Sequence, residues 1–145
     1  MHHRHVELFF HVIWSTWDRA PWIRPDLERE IRRCVHHHVD AAGAALLALG
    51  AADDHVHVLL HAGPTLTSAP LIGGMKGGAS RWLHTACGVD ESHRFSQGYA
   101  LLSVAPELVE RIKRYVETQR VRHALRDVVG AWEPPPFPAA NAPTG

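Results

Sequence analysis

The chain has 145 residues, of which 46% are hydrophobic, which suits one packed domain and makes global disorder a poor description. Its 15 basic and 15 acidic residues give a formal net charge of zero, which argues against a protein densely coated with nucleic acid. The chain contains no apolar run of the roughly 18 residues that a membrane span requires, and Cys34 and Cys87 match no zinc or redox motif. Because the first residues also lack the layout of a secretory signal, we expect a cytoplasmic protein with reduced cysteines.

Hydrophobic patterns bounded by Gly, Pro and Asp predict four strands and three helices. In chain order they are a strand at 6–16, a helix at 25–42, strands at 44–51 and 55–62, a helix from 68 or 70 to 84, a strand at 99–104 and a helix at 106–127. Pro25 and Pro106 occupy the first helical position, where the missing N–H costs nothing. Gly43 ends the first helix.

This order, β-α-β-β-α-β-α, predicts the α+β class and a specific architecture. It is the split β-α-β arrangement of a ferredoxin-like antiparallel sheet with helices on one face, plus one added C-terminal helix. We expect residues 1–130 to form this single domain. Residues 131–145 are rich in proline and are expected to lack regular structure.

The second predicted helix contains two glycine pairs, at 73–74 and 77–78. Each internal glycine costs roughly 1 kcal/mol relative to alanine in a helix, so the pairs predict a close approach of something to the helix backbone. Lys76, Ser80 and Arg81 lie on this helix and could bind a nucleic-acid backbone. The alternative is an ordinary solvated helix face.

The segment DDHVHVLLH, at residues 53–61, places two histidines two positions apart in a strand. Side chains at i and i+2 of a strand project from one face, so His55 and His57 point together while Val56 and Val58 point away. Two convergent imidazoles form half of a divalent-metal site. The alternative is an open sheet face with two solvated histidines.

The last helix contains YVETQ, in which Tyr115 and Gln119 are four residues apart and therefore share a helix face. Tyrosine can act as a covalent nucleophile, and a nearby cation, such as Lys113, Arg114 or a metal, would favour its ionised form. Gln119 offers a carbonyl oxygen as a third metal ligand. The alternative is an amphipathic tyrosine beside an exposed glutamine.

Five blocks of the sequence together resemble the insertion-sequence-200-like single-tyrosine transposases of the HUH nuclease superfamily. The blocks are HVIWSTWDRAPW, DDHVHVLL, LIGGMKGGASRWL, FSQGYALLSV and VERIKRYVETQRVRH, in matching order and spacing from about His5 to His123. The last two blocks are most similar to the REP-associated tyrosine transposase branch. Two departures are Ser96, where the family commonly has Trp, and Arg122, where it often has a second His.

The resemblance implies a ferredoxin-like fold and Mg²⁺ or Mn²⁺ held by His55, His57 and Gln119. It implies that Tyr115 attacks a phosphate of single-stranded DNA, leaving a 5′-phosphotyrosine link and a free 3′-OH. The expected partner is therefore single-stranded DNA with a hairpin. The residues expected to contact the DNA are Lys76, Ser80, Arg81, Arg111, Arg114 and Arg120.

Three questions stay open from the sequence. A homodimer is possible, and the tyrosine helix could then serve its own chain or the partner. A non-catalytic protein that binds single-stranded or hairpin DNA on the same fold is the main alternative function. A small metal-sensing domain without nucleic acid is a third class. Metal-dependent formation of a protein–DNA adduct separates a transposase from the DNA-binding protein, and salt-sensitive binding of a hairpin oligonucleotide argues against the metal-sensing domain.

Overall fold

The computed structural model describes residues 5–134. Its strands and main helices are β1 (Leu8–Ser15), α1 (Pro25–Ala41), β2 (Ala45–Ala52), β3 (His55–Ala62), α2 (Ser68–Ala86), β4 (Ala100–Val104), α3 (Val109–Glu117) and α4 (Gln119–Ala124). Three short 3₁₀ turns lie at Trp17–Arg19, Pro106–Leu108 and Gly130–Trp132. The strands are antiparallel in the spatial order β2-β3-β1-β4, which confirms the predicted ferredoxin-like sheet and the α+β class.

The two faces of the sheet carry different helices. Val56 and Val58 of β3 face α1 and α2, where they join the larger hydrophobic core. Leu59 faces the opposite side and packs with Ile112 and Val116 of α3. Because strand side chains alternate, His55 and His57 lie on the side covered by α3. The first two helices thus share one face, as predicted, and the C-terminal helices cover the other.

The glycine pairs of α2 do admit a close neighbour, as the sequence predicted. A methyl group on Gly74 would lie 3.3 Å from Nδ1 of His38, and one on Gly78 would collide with the same imidazole. Gly73 and Gly77 face open space. One glycine of each pair therefore lets α1 and α2 approach each other around the His38 ring.

The predicted continuous helix over 106–127 is wrong. Helix α3 ends at Glu117, Thr118 has φ −113° and ψ 27°, and α4 begins at Gln119. Polar side chains satisfy the last carbonyls of α3, because Thr118 Oγ1 donates to the Arg114 carbonyl at 2.7 Å and Gln119 Nε2 donates to the Tyr115 carbonyl at 3.0 Å. Such local bonds compete with the helical pattern and end it.

The expectation of an irregular tail over residues 131–145 is also partly wrong. Gly130–Trp132 forms a 3₁₀ turn, and Glu133 takes a defined place beside β3. The rest of the tail prediction falls on residues 135–145, outside the described part of the chain, and the division at residue 130 stays a prediction. Within residues 5–134, no helix combines the length and hydrophobicity that crossing a bilayer demands.

Candidate active site

The two histidines of β3 share one buried cluster. His55 and His57 are both 0% exposed, and their ring centroids are 4.9 Å apart. The alternative of two solvated histidines on an open face is therefore wrong. Burying two imidazoles is costly unless their nitrogens have partners, so those partners define what the site can do.

Each ring nitrogen of His57 has a different environment. Nδ1 lies 2.8 Å from Nε2 of His11, a fully buried residue of β1 that sequence reasoning did not single out. Nε2 is buried and has no hydrogen-bond partner among residues 5–134. Burial lowers the pKa of His11 to about 4, and burial together with the neighbouring His11 holds the pKa of His57 well below its usual value. Both rings are therefore neutral near pH 7, the state that binds metal.

A carboxylate holds His55. Its Nδ1 lies 2.7 Å from Oδ1 of Asp54, and Arg19 donates to the other oxygen of Asp54 at 3.1 Å. Burial alone would lower the pKa of His55, but the carboxylates of Asp54 and Glu133 outweigh it and raise that pKa. Hydrogen bonds from His55 and Arg19 likewise overcome burial and lower the pKa of Asp54 to about 2. Asp54 thus stays ionised and directs Nε2 of His55 into the site.

Backbone strain accompanies this arrangement. Asp18 and Arg19 both have φ of 54°, in the left-handed region that non-glycine residues rarely occupy. The strained turn presents the Arg19 guanidinium to Asp54. Strain of this kind, of order 1–3 kcal/mol per residue, persists where the surrounding structure fixes it and is concentrated at functional sites.

Tyr115 enters the same cluster from α3. Its ring is 1% exposed and its centroid lies 5.9 Å from that of His57. The hydroxyl donates to Oε2 of Glu133 and accepts from the Val129 backbone N–H at 2.9 Å. Burial and the Glu133 carboxylate raise the pKa of Tyr115 to about 12. The phenol is therefore protonated in this arrangement, contrary to the activated state that the sequence suggested.

The cation beside Tyr115 is also different from those expected. The Arg122 guanidinium lies 4.8 Å from the centre of the tyrosine ring. Arg114, one of the predicted cations, is exposed on α3. The sequence had marked Arg122 only as a departure from the family pattern.

Gln119 lies where the sequence placed it, although the helical argument for that position does not hold. It is 1% exposed, and its Oε1 is 3.2 Å from Nε2 of His55 and 3.2 Å from Nε2 of His123. The break at Thr118 sends the amide nitrogen back to α3, which leaves the oxygen facing His55.

Glu133 is a further candidate site residue that sequence reasoning missed. Its Oε1 lies 3.1 Å from Nε2 of His55 and 2.7 Å from Nε2 of His123, and its Oε2 lies 3.6 Å from Nε2 of His57. His55, His57 and Glu133 offer ligand atoms that all lie within 4.8 Å of one another. The one sequence signal is weak, since Glu133 is simply the last acidic residue before the proline-rich tail.

These residues fit a divalent cation. The donor set combines two imidazole nitrogens with carboxylate and amide oxygens, and the unpartnered, buried Nε2 of His57 points to a missing partner. A cleft of about 460 Å³ beside His123 and Arg120 leads to the rim of this cluster. The arrangement can thus bring a cation, a phenol and an outside ligand together.

The six predicted DNA-binding residues do not form one surface, because α2 and α3 lie on opposite faces of the sheet. Lys76 donates to the carbonyls of Ser96 and Gly98 at 2.8 and 3.0 Å and is half-buried. Arg120 pairs with Asp53 and donates to the Ile23 carbonyl. Ser80 is partly exposed, while the exposed members of the set are Arg81, Arg111 and Arg114.

Comparison with known proteins gives a family and a fold. The model of the family described as "Transposase IS200 like" matches residues 5–119. A crystal structure of a candidate transposase from Deinococcus radiodurans R1 is 22% identical, with a TM-score of 0.65, covering 83% of this chain and 96% of that one. A REP-associated tyrosine transposase bound to a REP hairpin is 12% identical, with a TM-score of 0.64, covering 94% and 81%. At these identities both structures show the fold alone, and no curated protein matches the chain.

Proposed function

Because this chain belongs to the IS200-like transposase family, we propose that it cuts and rejoins single-stranded DNA through a covalent link to Tyr115. The observation that supports the proposal is that the Tyr115 hydroxyl binds Oε2 of Glu133, which lies 3.6 Å from Nε2 of the buried His57 in the same chain. The phenol and the imidazoles come from elements far apart in sequence. Nothing in packing alone requires a tyrosine hydroxyl, a glutamine oxygen and two histidines to converge.

In the proposed reaction, the Tyr115 oxygen attacks a phosphate of the DNA. A bond forms between that oxygen and phosphorus, and the bond from phosphorus to the 3′ oxygen breaks, leaving a 5′-phosphotyrosine and a 3′-OH. The phenol proton passes to Oε2 of Glu133, which already accepts its hydrogen bond, and the 3′ oxygen takes up a proton as it leaves. Attack by a 3′-OH on the phosphotyrosine reverses these changes and joins strands.

His55, His57, Gln119 and Glu133 would hold the ion, which we propose to be Mg²⁺ or Mn²⁺. When bound, such an ion neutralises charge that develops on the non-bridging phosphate oxygens and orients the phosphate. Two imidazole ligands suit Mn²⁺ better than Mg²⁺, which prefers oxygen, so Mn²⁺ should bind more tightly in vitro.

The proposed substrate is single-stranded DNA next to a hairpin. The structural neighbour bound to a REP hairpin supports this choice through its shared fold. We propose that the exposed Arg111 and Arg114 of α3 contact the phosphate backbone on one face of the sheet, and that the exposed Arg81, with the neighbouring Ser80 on α2, contacts a separate part of the DNA. Lys76 and Arg120 would contribute indirectly by fixing the elements they tie together. A homodimer is compatible with this proposal, which needs only one chain.

The second candidate function is a hairpin-binding protein without catalysis. The observation that favours it is the blocked nucleophile, because Tyr115 is held by Glu133 and Val129 and its pKa is raised to about 12. Catalysis therefore requires that bound DNA or a cation lets the phenol pass its proton to Glu133. A binding protein would need no such change.

A covalent-adduct assay tests the proposal. The protein would be incubated with Mn²⁺ and a pool of hairpin-bearing single strands with randomised flanks, labelled at the 3′ end, and run on a denaturing gel. Tyr115→Phe should lose the covalent shift but still bind the pool. Tyr99→Phe, which changes the other tyrosine of the chain, should retain the shift.

Two results would contradict the assignment. A full yield of adduct from Tyr115→Phe would reject Tyr115 as the nucleophile. Tight binding of the pool by the unmodified protein, with no Mn²⁺-dependent adduct, would favour the hairpin-binding function instead.

A further inference from the structure

We propose that His11 is a positioning residue that fixes the proton of His57 on Nδ1 and thereby leaves Nε2 free to bind the cation. The inference deepens the proposed function, since it concerns the same cation site. His11 lies in the segment HVIW of the sequence, where no chemistry was assigned to it.

The geometry places the two rings in direct contact across adjacent strands. Ile13 is opposite His57 in the β1–β3 register. His11 comes two residues before Ile13 in β1 and therefore projects from the same face of the sheet. The ring centroids are 5.0 Å apart with a tilt of 31°, and the Nε2–Nδ1 distance is 2.8 Å. Both side chains are 0% exposed, so water does not replace this bond.

Only one arrangement of protons allows cation binding. A hydrogen bond between two neutral imidazoles holds one proton, so either His57 donates from Nδ1 or His11 donates from Nε2. If His11 donates, His57 carries its own proton on Nε2 and cannot bind a metal through that atom. If His57 donates, Nε2 has a free lone pair, and that atom is buried without a hydrogen-bond partner among residues 5–134, as is Nδ1 of His11, which then carries the proton of its own ring.

The role of His11 is therefore to accept a hydrogen bond from Nδ1–H of His57, and its position in the sheet explains why few other residues would serve. The acceptor must reach Nδ1 of His57 from inside the sheet, where the neighbouring β1 positions are Ile13 and Phe9. Asp54 performs the equivalent task for His55 through a carboxylate. Partners of this kind typically change metal affinity by 10- to 100-fold.

The test compares two substitutions of His11 in the full chain. His11→Gln keeps an acceptor oxygen in place of Nε2, whereas His11→Phe keeps a planar ring without an acceptor. Mn²⁺ affinity, measured from the spin resonance of free Mn²⁺ without DNA, should fall roughly 10- to 100-fold in His11→Phe and recover largely in His11→Gln. His61 lies on β3, the strand of His57, and its ring stacks on Phe9. The control variant His61→Gln should leave the Mn²⁺ affinity unaltered.

Nitrogen NMR of the His57 ring supplies a second readout. In the Mg²⁺-saturated unmodified protein, Nδ1 should be protonated and Nε2 should not. Equal Mn²⁺ affinity in His11→Phe and the unmodified protein, a proton on Nε2 of His57 in the Mg²⁺-saturated state, or no Mn²⁺ binding at all would each overturn the proposal. Normal Mn²⁺ binding without any DNA adduct would instead contradict the proposed function and leave the role of His11 intact.

Discussion

Substituting Gly50 tests whether the packing of α3 on the sheet positions the nucleophile. Gly50 of β2 is opposite His57, and the end of α3 crosses directly over it. A methyl group at this position would lie 2.8 Å from the carbonyl carbon of Val116 and closer still to its oxygen. Ordinary contact begins at about 3.5 Å, and because the oxygen is the closer of the two atoms, α3 must move by more than about 1 Å in Gly50→Ala.

Tyr115 immediately precedes Val116 and must move with it. A misplacement of about 1 Å can reduce a rate by roughly 100-fold, and an overpacked contact of this kind typically costs about 1–3 kcal/mol of stability. We therefore expect Gly50→Ala to lower the rate of DNA-adduct formation by about 100-fold and to shift the urea midpoint downward.

The matched control is Gly63→Ala, where an added methyl group meets nothing within 4 Å. It should leave both the adduct rate and the urea midpoint close to those of the unmodified protein. If Gly50→Ala behaved like this control in both measurements, α3 would not be held against β2 as described, and the positioning argument would fail.

Two further predictions concern stability. Arg120→Gln removes the ion pair with Asp53 at 2.5 Å and the hydrogen bond to the Ile23 carbonyl at 2.7 Å. It should lower the free energy of unfolding by about 1–3 kcal/mol in urea titrations at neutral pH, and an unchanged urea midpoint would contradict this prediction. In metal-free protein, the pKa of His11 is about 4 in the folded state and 6.5 in the unfolded state. Between pH 6.5 and 4 only the unfolded state therefore binds a proton at His11, and the free energy of unfolding should fall by about 3 kcal/mol over this range. The lowered pKa of His57 acts in the same direction, whereas the raised pKa of His55 contributes stability that is present below pH 6.5 and is lost at higher pH. In His11→Gln the loss of stability between pH 6.5 and 4 should be smaller than in the unmodified protein. An equal loss would contradict the lowered pKa of His11.

The parts of the site that were predictable from sequence are those set by local periodicity. Strand alternation was sufficient to place His55 and His57 on one face, and the same rule correctly sent Val56 to the larger core. Internal glycines also predicted a close approach, and Gly74 and Gly78 do receive the His38 ring. These signals work because a period of two or a missing Cβ has one geometric consequence.

The parts that were not predictable depend on contacts between distant segments. Glu133 reaches the histidines only because the chain turns back after α4, and no local pattern marks that turn. His11 is one of 13 histidines, and only the β1–β3 register brings it to His57. The break at Thr118 arises from side-chain bonds to backbone carbonyls, which helix propensity does not anticipate.

The basic residues show a related limit. Arg81 and Arg120 look equivalent in the sequence, but one is exposed on α2 and the other is bound to Asp53 and the Ile23 carbonyl. Charge composition predicts how many cations a chain carries, whereas burial and pairing decide which of them remain for a ligand.

The most direct test of the proposed covalent link to Tyr115 is to identify the amino acid that carries DNA after the reaction. The protein would be reacted with hairpin-bearing single strands and Mn²⁺, treated with nuclease and protease, and its peptides analysed by mass spectrometry. We expect a 5′-phosphorylated nucleotide on the peptide that contains Tyr115, and fragmentation should place it on that residue. A nucleotide found on Tyr99 or any other residue, or cut DNA with no attached peptide, would contradict it.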